Sequence, residues 1–418
     1  MRKTIAIAAG GTAGHVVPAL AVADELRARG ARVFFIGGDR AERELVPAAG
    51  YEFHEIGVEG LSRSNPVRAA RGLARSAGAS LRARRLLRDG GAQAVMGGGG
   101  YVAAPVALAA TALGLPVVLT EADSHLGLAN RALAPFARRV CLAFALDGRD
   151  GSRYLVTGRP GPPASADRGA ARARLGIPPG IPCVLVFGGS LGARSINEAA
   201  VDAFAQAPFH VLHVTGSRDY QSLVTHPRGT HYDMCEYLPV AAFSEALAAS
   251  DLVVARAGGS VFEIAAYGRP AILVPYPHAA AGHQWTNALW MERAGAAVVI
   301  DDGQLTAAGL RAEVDRLLGD PGLLASMARA SMSLARPDAA SVIAGVLLDQ
   351  VGDGEQQSHS HHQVGDGEQQ SHSHHQVGDG EGKSDRHHQV GDGAQQSHSH
   401  HQVGDGEQQS DSHHSAGG

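Results

Sequence analysis

Four short glycine-rich segments stand where an anion-binding site would need them. They are "GGTAGH" (10–15), "GGGGY" (97–101), "GGSLGA" (188–193) and "RAGGS" (256–260), and each follows a short apolar run. Glycine lets the backbone approach a ligand closely, and a helix starting there directs free N–H groups and its positive dipole end at an anion. One such turn is a weak signal, because glycine after a strand also serves tight packing. Four at equivalent positions predict a site for a phosphorylated ligand.

Polar side chains at and beyond the fourth turn add to this prediction. Glu263 falls in the first turn of the next predicted helix, where a carboxylate can accept both hydroxyls of a ribose; the alternative is a surface glutamate favoured by the helix dipole. Gln284 and Asn287 are three residues apart and share a helix face, so they could bind sugar hydroxyls; the alternative is helix capping. The turn itself supplies three further candidates, Arg256, Gly259 and Ser260.

Short apolar runs alternate with helical patterns along most of the chain. The runs are "TIAIAA", "RVFFIG", "AQAVMG", "PVVLTE" and "RRVCLAF", followed by "PCVLVFG", "FHVLHVTG", "DLVVARAG", "PAILVPYP" and "AAVVID". Continuous apolar strands separated by helices imply parallel sheets covered on both faces, so the predicted class is α/β with two Rossmann-like domains. Ligands of such sheets bind beyond the carboxyl ends of the strands. The glycine turns are therefore expected to face one cleft.

Composition divides the chain into four predicted regions. Prolines and glycines cluster at 158–166, which predicts a linker between an N-terminal domain at 1–157 and a C-terminal domain at 167–349 that ends in a helix. From Gln350 a 13-residue unit, "QVGDGEQQSHSHH", recurs with almost no large apolar side chain, so 350–418 is expected to be a disordered tail. The tail holds 13 of the 22 histidines. Weak metal binding and simple duplication of coding DNA both remain open for it.

Charge and cysteine usage restrict the location of the protein. The tail carries 11 of the 41 acidic residues and two of the 36 basic ones, which leaves the body with about four excess positive charges. Eight arginines lie within 63–88 without an acidic residue. They form either a solvated helix face or a surface for anionic lipid, where each cation contributes about 1 kcal/mol and Leu81, Leu86 and Leu87 are available for shallow insertion.

The three cysteines show no metal or redox spacing and read as small buried apolar side chains in a reducing compartment. The apolar part of "MRKTIAIAAGG" is too short for a signal peptide, and no stretch approaches the length of a membrane span. We therefore expect a cytoplasmic protein, at most peripheral to a membrane.

The combination of motifs resembles the MurG family. The matching segments are "GGTAGHVVPALAVADEL", "GGGGYVAAPVALAA", "EADSHLGLANR", "FGGSLGARSIN", "RAGGSVFEIAAYGRPAILVPYPH" and "HQWTNA", which occur in the family's order. That family transfers N-acetylglucosamine from its UDP donor to the 4-hydroxyl of the undecaprenyl-linked muramyl-pentapeptide precursor of peptidoglycan. It has the GT-B fold and acts at the cytoplasmic face of the cell membrane. The resemblance implies an inverting transferase with no bound metal, no cofactor and no nucleic-acid partner.

The resemblance also implies roles for single residues. Ser190 would contact the donor diphosphate, Glu263 the ribose and Gln284 the sugar, and the backbone of Leu238 would lie near uracil. The remaining matched positions are Thr12, Ala13, Gly14 and His15 on the first glycine loop, and Tyr101, Glu121 and Asn130 on the acceptor side.

The sequence departs from the family mainly on the acceptor side. Thr120 and Asp123 replace a histidine and an asparagine, and Pro162 stands where the family has an interdomain arginine, with Arg159 nearby. The stretch "RAGGSVFE" is one residue shorter than usual. Use of a sugar nucleotide therefore follows more firmly than the identity of the acceptor, and a related GT-B transferase with another acceptor is an alternative.

Direct attack by an acceptor hydroxyl needs a base for its proton and positive potential for the leaving diphosphate. Helix N-termini and backbone N–H groups meet the second need. His15 is the first candidate for the base, because histidine titrates near neutral pH, and Asp123 is the second. His15 has two other possible roles, a hydrogen bond to the acceptor diphosphate or a helix cap.

Three other functions compete with a transferase. A UDP-sugar 2-epimerase shares the architecture but should carry extra acidic residues around the sugar, which the matched motifs lack. A nicotinamide-dependent dehydrogenase would use "GGTAG" with Asp39, yet the strict G-x-G-x-x-G spacing is absent. A non-catalytic scaffold would recruit partners through the repeated tail.

Overall fold

Two parallel β-sheets organise the chain. The computed structural model describes residues 2–58, 66–164, 166–189, 191–279 and 282–359, and at 66–77 and 353–359 it describes the backbone alone. In this part of the chain the first sheet contains the strands β1 (Thr4–Ala8), β2 (Arg32–Gly37), β3 (Glu52–Glu55), β4 (Ala94–Gly97), β5 (Val117–Glu121), β6 (Arg139–Leu142) and β7 (Tyr154–Val156). The second contains β8 (Cys183–Phe187), β9 (His210–Val214), β10 (Tyr232–Cys235), β11 (Leu252–Ala255), β12 (Ala271–Leu273) and β13 (Ala297–Val299).

Strand order is the same in both sheets at their centres. The first sheet runs β3-β2-β1-β4-β5-β6-β7 and the second runs β10-β9-β8-β11-β12-β13, with every neighbouring pair parallel. In each sheet the order reverses beside the first strand, between β1 and β4 and between β8 and β11. Such switch points are where open parallel sheets bind ligands. The predicted class, α/β with two Rossmann-like sheets, is confirmed.

Helices cover both faces of each sheet. In the first half they are α1 (Ala13–Ala28), α2 (Ala41–Ala48), α3 (Pro66–Asp89), α4 (Ala103–Ala112) and α5 (Leu128–Leu133), followed by a 3-10 turn at Ala134–Phe136. In the second half they are α6 (Arg168–Arg174), α7 (Arg194–Phe204), α8 (Tyr220–Leu223), α9 (Val240–Ala249), α10 (Val261–Ala266), α11 (His283–Arg293), a 3-10 turn at Asp302–Gln304, α12 (Ala307–Leu318), α13 (Pro321–Ser333) and α14 (Ala339–His359). Among the residues described, no helix is both long and apolar enough to cross a bilayer.

Side chains that alternate in direction along the strands fill a separate apolar core on each face of each sheet. In β1, Ile5 and Ile7 pack under α1, whereas Ala6 and Ala8 face the cluster under α3 and α4. In β8 the same alternation divides the side chains between the two cores of the second sheet. Successive strand residues point to opposite faces, so a strand covered on both sides must be apolar throughout. Cys141 and Cys183 are buried in these cores, as expected for apolar side chains.

The last helix returns to the first half. Ile343 and Leu347 of α14 are fully buried in the cluster formed by α1 and the first sheet, and Lys3 Nζ donates a hydrogen bond to Leu348 O. The sequence placed this helix with the second half, and its contacts correct that assignment. The helix also continues past Gln350, because Val351 extends the same buried stripe one turn further. The predicted tail beyond His359 lies outside the described residues.

Candidate functional site

The first glycine turn, between β1 and α1, is held by a carboxylate from another element. Glu42 of α2 is fully buried, and its two oxygens accept hydrogen bonds from Gly11 N at 2.8 Å and Gly38 N at 2.9 Å. Gly11 has a φ of +107°, which favours glycine. A side chain at Gly10 would overlap the Glu42 carboxylate. Glu42 therefore sets the position of this turn, a role that sequence reasoning missed because the residue lies far along the chain.

His15 stands two residues inside α1, against the second glycine turn. Its ring packs on Gly99, where an added Cβ would lie 2.7 Å from the ring, and its Nδ1 is 3.4 Å from Thr12 Oγ1. Burial, followed by the nearby Arg159 guanidinium, lowers the pKa of His15, while Asp123 and Glu42 act in the opposite direction. The imidazole is therefore neutral near pH 7 and able to take up a proton.

Glu121 and Asn130 form hydrogen bonds that hold the loop between β5 and α5. Glu121 accepts from Gly127 N at 2.8 Å, from Asn130 Nδ2 at 3.0 Å and from Asp123 N at 3.2 Å. Both side chains are buried, and burial raises the pKa of Glu121 despite these bonds. The pair shapes the loop that carries Asp123, whose side chain is only partly buried.

Tyr101 lies beside the first glycine turn. Its ring edge would be 3.6 Å from a Cβ at Gly11, and the Arg40 guanidinium lies 5.2 Å from the ring centroid. Burial raises the pKa of the Tyr101 hydroxyl, with the neighbouring Glu42 acting in the same direction. The phenol is therefore neutral and available as a hydrogen-bond donor.

The third glycine turn follows β8 and depends on a buried polar network. Gly192 has a φ of +82° and presses on Thr215 O, so no larger residue fits there. Behind it Asn197 Nδ2 donates to Thr215 O at 2.8 Å, and Asn197 Oδ1 bonds to the ring of His213 at 3.0 Å. Burial lowers the pKa of His213 to about 3, so that ring is neutral. Ser190, which follows Gly189 in the sequence, lies outside the described residues.

Arg256, at the fourth turn, is directed into its own half. Its Nη1 pairs with Asp302 Oδ1 at 2.6 Å and donates to Val274 O at 3.1 Å, and its Nη2 donates to Ser195 Oγ at 2.9 Å. Asn287 also bonds within its own half, since it is buried and its Nδ2 donates to Ala257 O at 3.0 Å. These two residues fix the fourth turn from behind.

Glu263 and Gln284 face the cavity with hydrogen-bonding capacity to spare. Glu263 has no hydrogen-bond or ion-pair partner within the described part of the chain; burial raises the pKa of its carboxyl, and Arg159 partly opposes that effect. Gln284 Oε1 accepts from Tyr276 N at 2.9 Å, which leaves its amide N–H groups for a ligand.

The two halves, which belong to one compact unit, enclose a cavity of about 410 Å³. Eight predicted residues line it: Ala13, Gly14, Leu238, Arg256, Gly259, Ser260, Glu263 and Gln284. His15 and Glu121 line a small adjoining cavity, and Arg159 and Pro160 of the linker line both. The remaining described candidates line neither cavity: Thr12, Tyr101, Asp123, Asn130 and Asn287. Among the described residues, no group of three or more metal-ligating side chains comes together.

Comparison with known proteins gives a family match for each half of the chain. The family description "Glycosyltransferase family 28 N-terminal domain" matches residues 5–142, and "Glycosyltransferase family 28 C-terminal domain" matches residues 183–343.

Two curated relatives carry the same name, "UDP-N-acetylglucosamine--N-acetylmuramyl-(pentapeptide) pyrophosphoryl-undecaprenol N-acetylglucosamine transferase". The protein from Halothermothrix orenii is 36% identical over 361 residues, which cover 81% of this chain and 97% of the relative. The protein from Rubrobacter xylanophilus is 41% identical over 336 residues, with 78% and 98% covered. A solved structure, MurG of Acinetobacter baumannii, is 28% identical with a TM-score of 0.66 and covers 84% of this chain and 100% of its own.

Proposed function

The chain belongs to the MurG family within glycosyltransferase family 28, and we propose that it transfers N-acetylglucosamine from UDP-N-acetylglucosamine to the 4-hydroxyl of undecaprenyl-linked muramyl-pentapeptide. One observation carries the proposal: a single cavity joins the first glycine turn, near His15, to Glu263 and Gln284 of the other half. Acceptor and donor groups then meet between the sheets.

The second half binds the donor. Glu263 accepts the two ribose hydroxyls through a carboxylate that has no competing partner among the described residues. Gln284 donates its amide N–H groups to the sugar, and Leu238 lies beside uracil. The third turn binds the diphosphate through backbone N–H groups, with Ser190 as a further contact. Gly189 has a φ of +92°, and among the described residues no atom lies within 4 Å of the place where its Cβ would stand, which leaves room for a phosphate.

The reaction is a single inverting displacement. The acceptor oxygen forms a bond to the anomeric carbon while the bond from that carbon to the diphosphate oxygen breaks, and the electron pair leaves with UDP. The hydroxyl proton passes to His15, whose lowered pKa keeps the ring unprotonated and ready to accept it. Asp123 lies close enough to stabilise the imidazolium that forms.

The acceptor reaches the enzyme from a membrane surface at the cytoplasmic face. Helix α3 exposes Arg82, Arg84, Arg85 and Arg88, and Leu81 beside them is 66% exposed. Leu87, which the sequence offered for insertion, is fully buried under the helix and is unavailable. The exposed arginines attract anionic head groups, and Leu81 supplies shallow apolar contact.

The test is incubation of the protein with UDP-N-acetylglucosamine and the lipid-linked acceptor, followed by mass analysis of lipid and nucleotide products. A disaccharide lipid and one equivalent of UDP are expected. An epimerised nucleotide sugar without transfer would indicate the 2-epimerase alternative. Transfer to a different hydroxyl compound, with none to the muramyl lipid, would indicate a GT-B enzyme for another acceptor.

A further inference from the structure

Arg159, in the linker between the two sheets, contacts a glycine turn of each half. Its Nη2 donates a hydrogen bond to Gly14 O at 2.7 Å, at the start of α1. The other side of its guanidinium lies on Gly259, so closely that a Cβ there would overlap it. Arg159 is partly buried and lines both the large cavity and the small cavity beside His15.

The two arginines that line the large cavity, Arg256 and Arg159, differ in how far their charge and N–H donors are already paired. Arg256 is neutralised by Asp302, and its remaining donors are directed at Ser195 and backbone carbonyls. Arg159 has no carboxylate ion-pair partner within the described residues, and it donates a hydrogen bond to the neutral carbonyl of Gly14. A guanidinium that is charged, partly desolvated and not paired with a carboxylate is suited to binding a phosphate.

Building on the proposed function, we propose that Arg159 binds the departing diphosphate of the donor and, through the same charge, couples the donor half to His15. The planar fork of arginine can bind two phosphate oxygens at once. From the linker it reaches the diphosphate opposite the third glycine turn, so the leaving group is held by both sides of the cleft. The carbonyl of Gly14 is a neutral partner that an anion displaces readily.

The same charge acts on His15. The charged or titratable groups around the imidazole are Arg159 from the linker, Asp123 after β5, Glu42 on α2, and Glu121 and Cys141 in the wall of the small cavity. Of these, Arg159 is the one that lowers the pKa of His15. A positive charge disfavours protonation, so it keeps the base free at lower pH. Removing that charge should raise the pKa of His15 and move the acidic limb of the rate profile to higher pH.

The deciding experiment measures nucleotide binding by calorimetry on the full chain. UDP and uridine are titrated into the wild type, Arg159→Gln, Arg159→Lys and Arg293→Gln. Arg293 is the matched control, because it is exposed and lies nine residues beyond Gln284 on α11, about 14 Å along the helix axis. We expect Arg159→Gln to weaken UDP by 10-fold or more, to leave uridine within 2-fold, and to be partly rescued by lysine. Equal affinity of the wild type and Arg159→Gln for UDP would overturn the proposal.

A second variant tests the contact between Arg159 and Gly259. Gly259→Ala places a methyl group on the guanidinium and should displace it without removing its charge. If Gly259 acts through Arg159, the alanine weakens UDP in the wild type but adds little in the Arg159→Gln background. Full additivity in this cycle would contradict the contact on which the proposal depends.

The pH dependence of transfer tests the coupling to His15. The acidic limb of kcat/KM should lie at higher pH in Arg159→Gln than in the wild type and Arg293→Gln, and an unmoved limb would refute the coupling. Failure of the proposed function looks different, because the wild type would then form no disaccharide lipid in the transfer assay, whatever its affinity for UDP. A wild type that binds UDP and a variant that binds it equally well would reject the role of Arg159 alone.

Discussion

Three carboxylates near the cleft have two different roles: Glu42 and Glu121 hold loops, and Glu263 faces the large cavity. Glu42 and Glu121 each accept backbone N–H bonds with both oxygens, whereas Glu263 accepts none from the described residues. Sequence position identified Glu263, since it directly follows a glycine turn. It could not identify Glu42, because a hydrogen bond to Gly11 across 31 residues leaves no local pattern. Site residues that lie next to a motif in the sequence can be predicted, whereas those brought to the site only by folding cannot.

Replacing Glu263 by alanine should raise the KM for the nucleotide sugar strongly. Two charge-assisted hydrogen bonds to ribose, each of about 1.5–3 kcal/mol, are lost, so at least a 100-fold increase is expected. Because burial raises the pKa of Glu263, the donor KM of the wild type should also rise as the solution becomes acidic. Steady-state kinetics with Glu198→Ala as control, an exposed carboxylate of the same half, checks this. An unchanged donor KM would remove Glu263 from the site.

Replacing Glu42 by glutamine should destabilise the first half and reduce kcat. One of the two backbone N–H groups at Gly11 and Gly38 would then face an amide NH₂ and lose its acceptor, at about 1–3 kcal/mol. The turn that carries His15 loosens as a result. Urea unfolding and transfer kinetics measure both effects, with Glu55→Gln, on the exposed end of β3, as the control. A variant as stable and active as this control would show that the turn needs no carboxylate.

At the level of elements, a strand could be predicted from the sequence when both of its faces are buried. All ten apolar runs form strands, and the three strands that escaped prediction are β3, β7 and β10. Each of these lies at the edge of its sheet and contains exposed residues. Edge strands need no continuous apolar sequence, because their faces are incompletely covered. Because β3 has no apolar run, "GGGGY" follows the third apolar run but the fourth strand, β4.

Helix α14 gives a prediction about truncation. Deletion of 360–418 should leave the melting temperature unchanged, since the repeat sequence offers nothing to pack. Deletion from Gln350 removes Val351 from the buried stripe and should lower stability by about 1–2 kcal/mol. Deletion from Ala339 removes Ile343 and Leu347 as well and should unfold the first half. Calorimetric scans of the three truncations decide this, and equal stability of the first two would show that Val351 contributes nothing.

Helix α3 gives a prediction about membranes. Replacing Arg82, Arg84, Arg85 and Arg88 together by glutamine should release the protein from vesicles that contain anionic lipid, because about 1 kcal/mol is lost per cation. Wild-type binding should itself weaken as salt shortens the Debye length from about 10 Å to about 3 Å. Co-sedimentation measures both. The control replaces four exposed arginines of the second half, Arg174, Arg293, Arg316 and Arg329. Equal sedimentation of both variants would show that the arginine-bearing face of α3 is solvated and does not bind lipid.

At the scale of the whole molecule, the two halves are joined by packing as well as by the linker. Phe144, just beyond β6 of the first half, lies 4.7 Å from Phe262 and 5.2 Å from Trp290 of the second, measured between ring centroids. Phe262 directly precedes Glu263, so this aromatic cluster ties the cavity-facing carboxylate to the half that carries His15. Neither its members nor the return of α14 could be found from sequence, because both are contacts between halves that the chain pattern treats as separate.

Phe144→Ala should therefore uncouple the halves more than it unfolds either one. Truncating a buried phenylalanine costs about 3–5 kcal/mol, and here that loss falls on the contact between the sheets. We expect one unfolding transition to split into two in calorimetry, and transfer to fall at least 10-fold, since donor and acceptor groups are no longer held in register across the cleft. Phe35→Ala, a fully buried residue inside the first half alone, is the control. It should lower the stability of that half, so its own unfolding shifts, while the rate of transfer at low temperature stays within about twofold. If Phe144→Ala melts in a single transition and transfers as fast as Phe35→Ala, the aromatic cluster is ordinary core packing and the linker alone sets the geometry of the cleft.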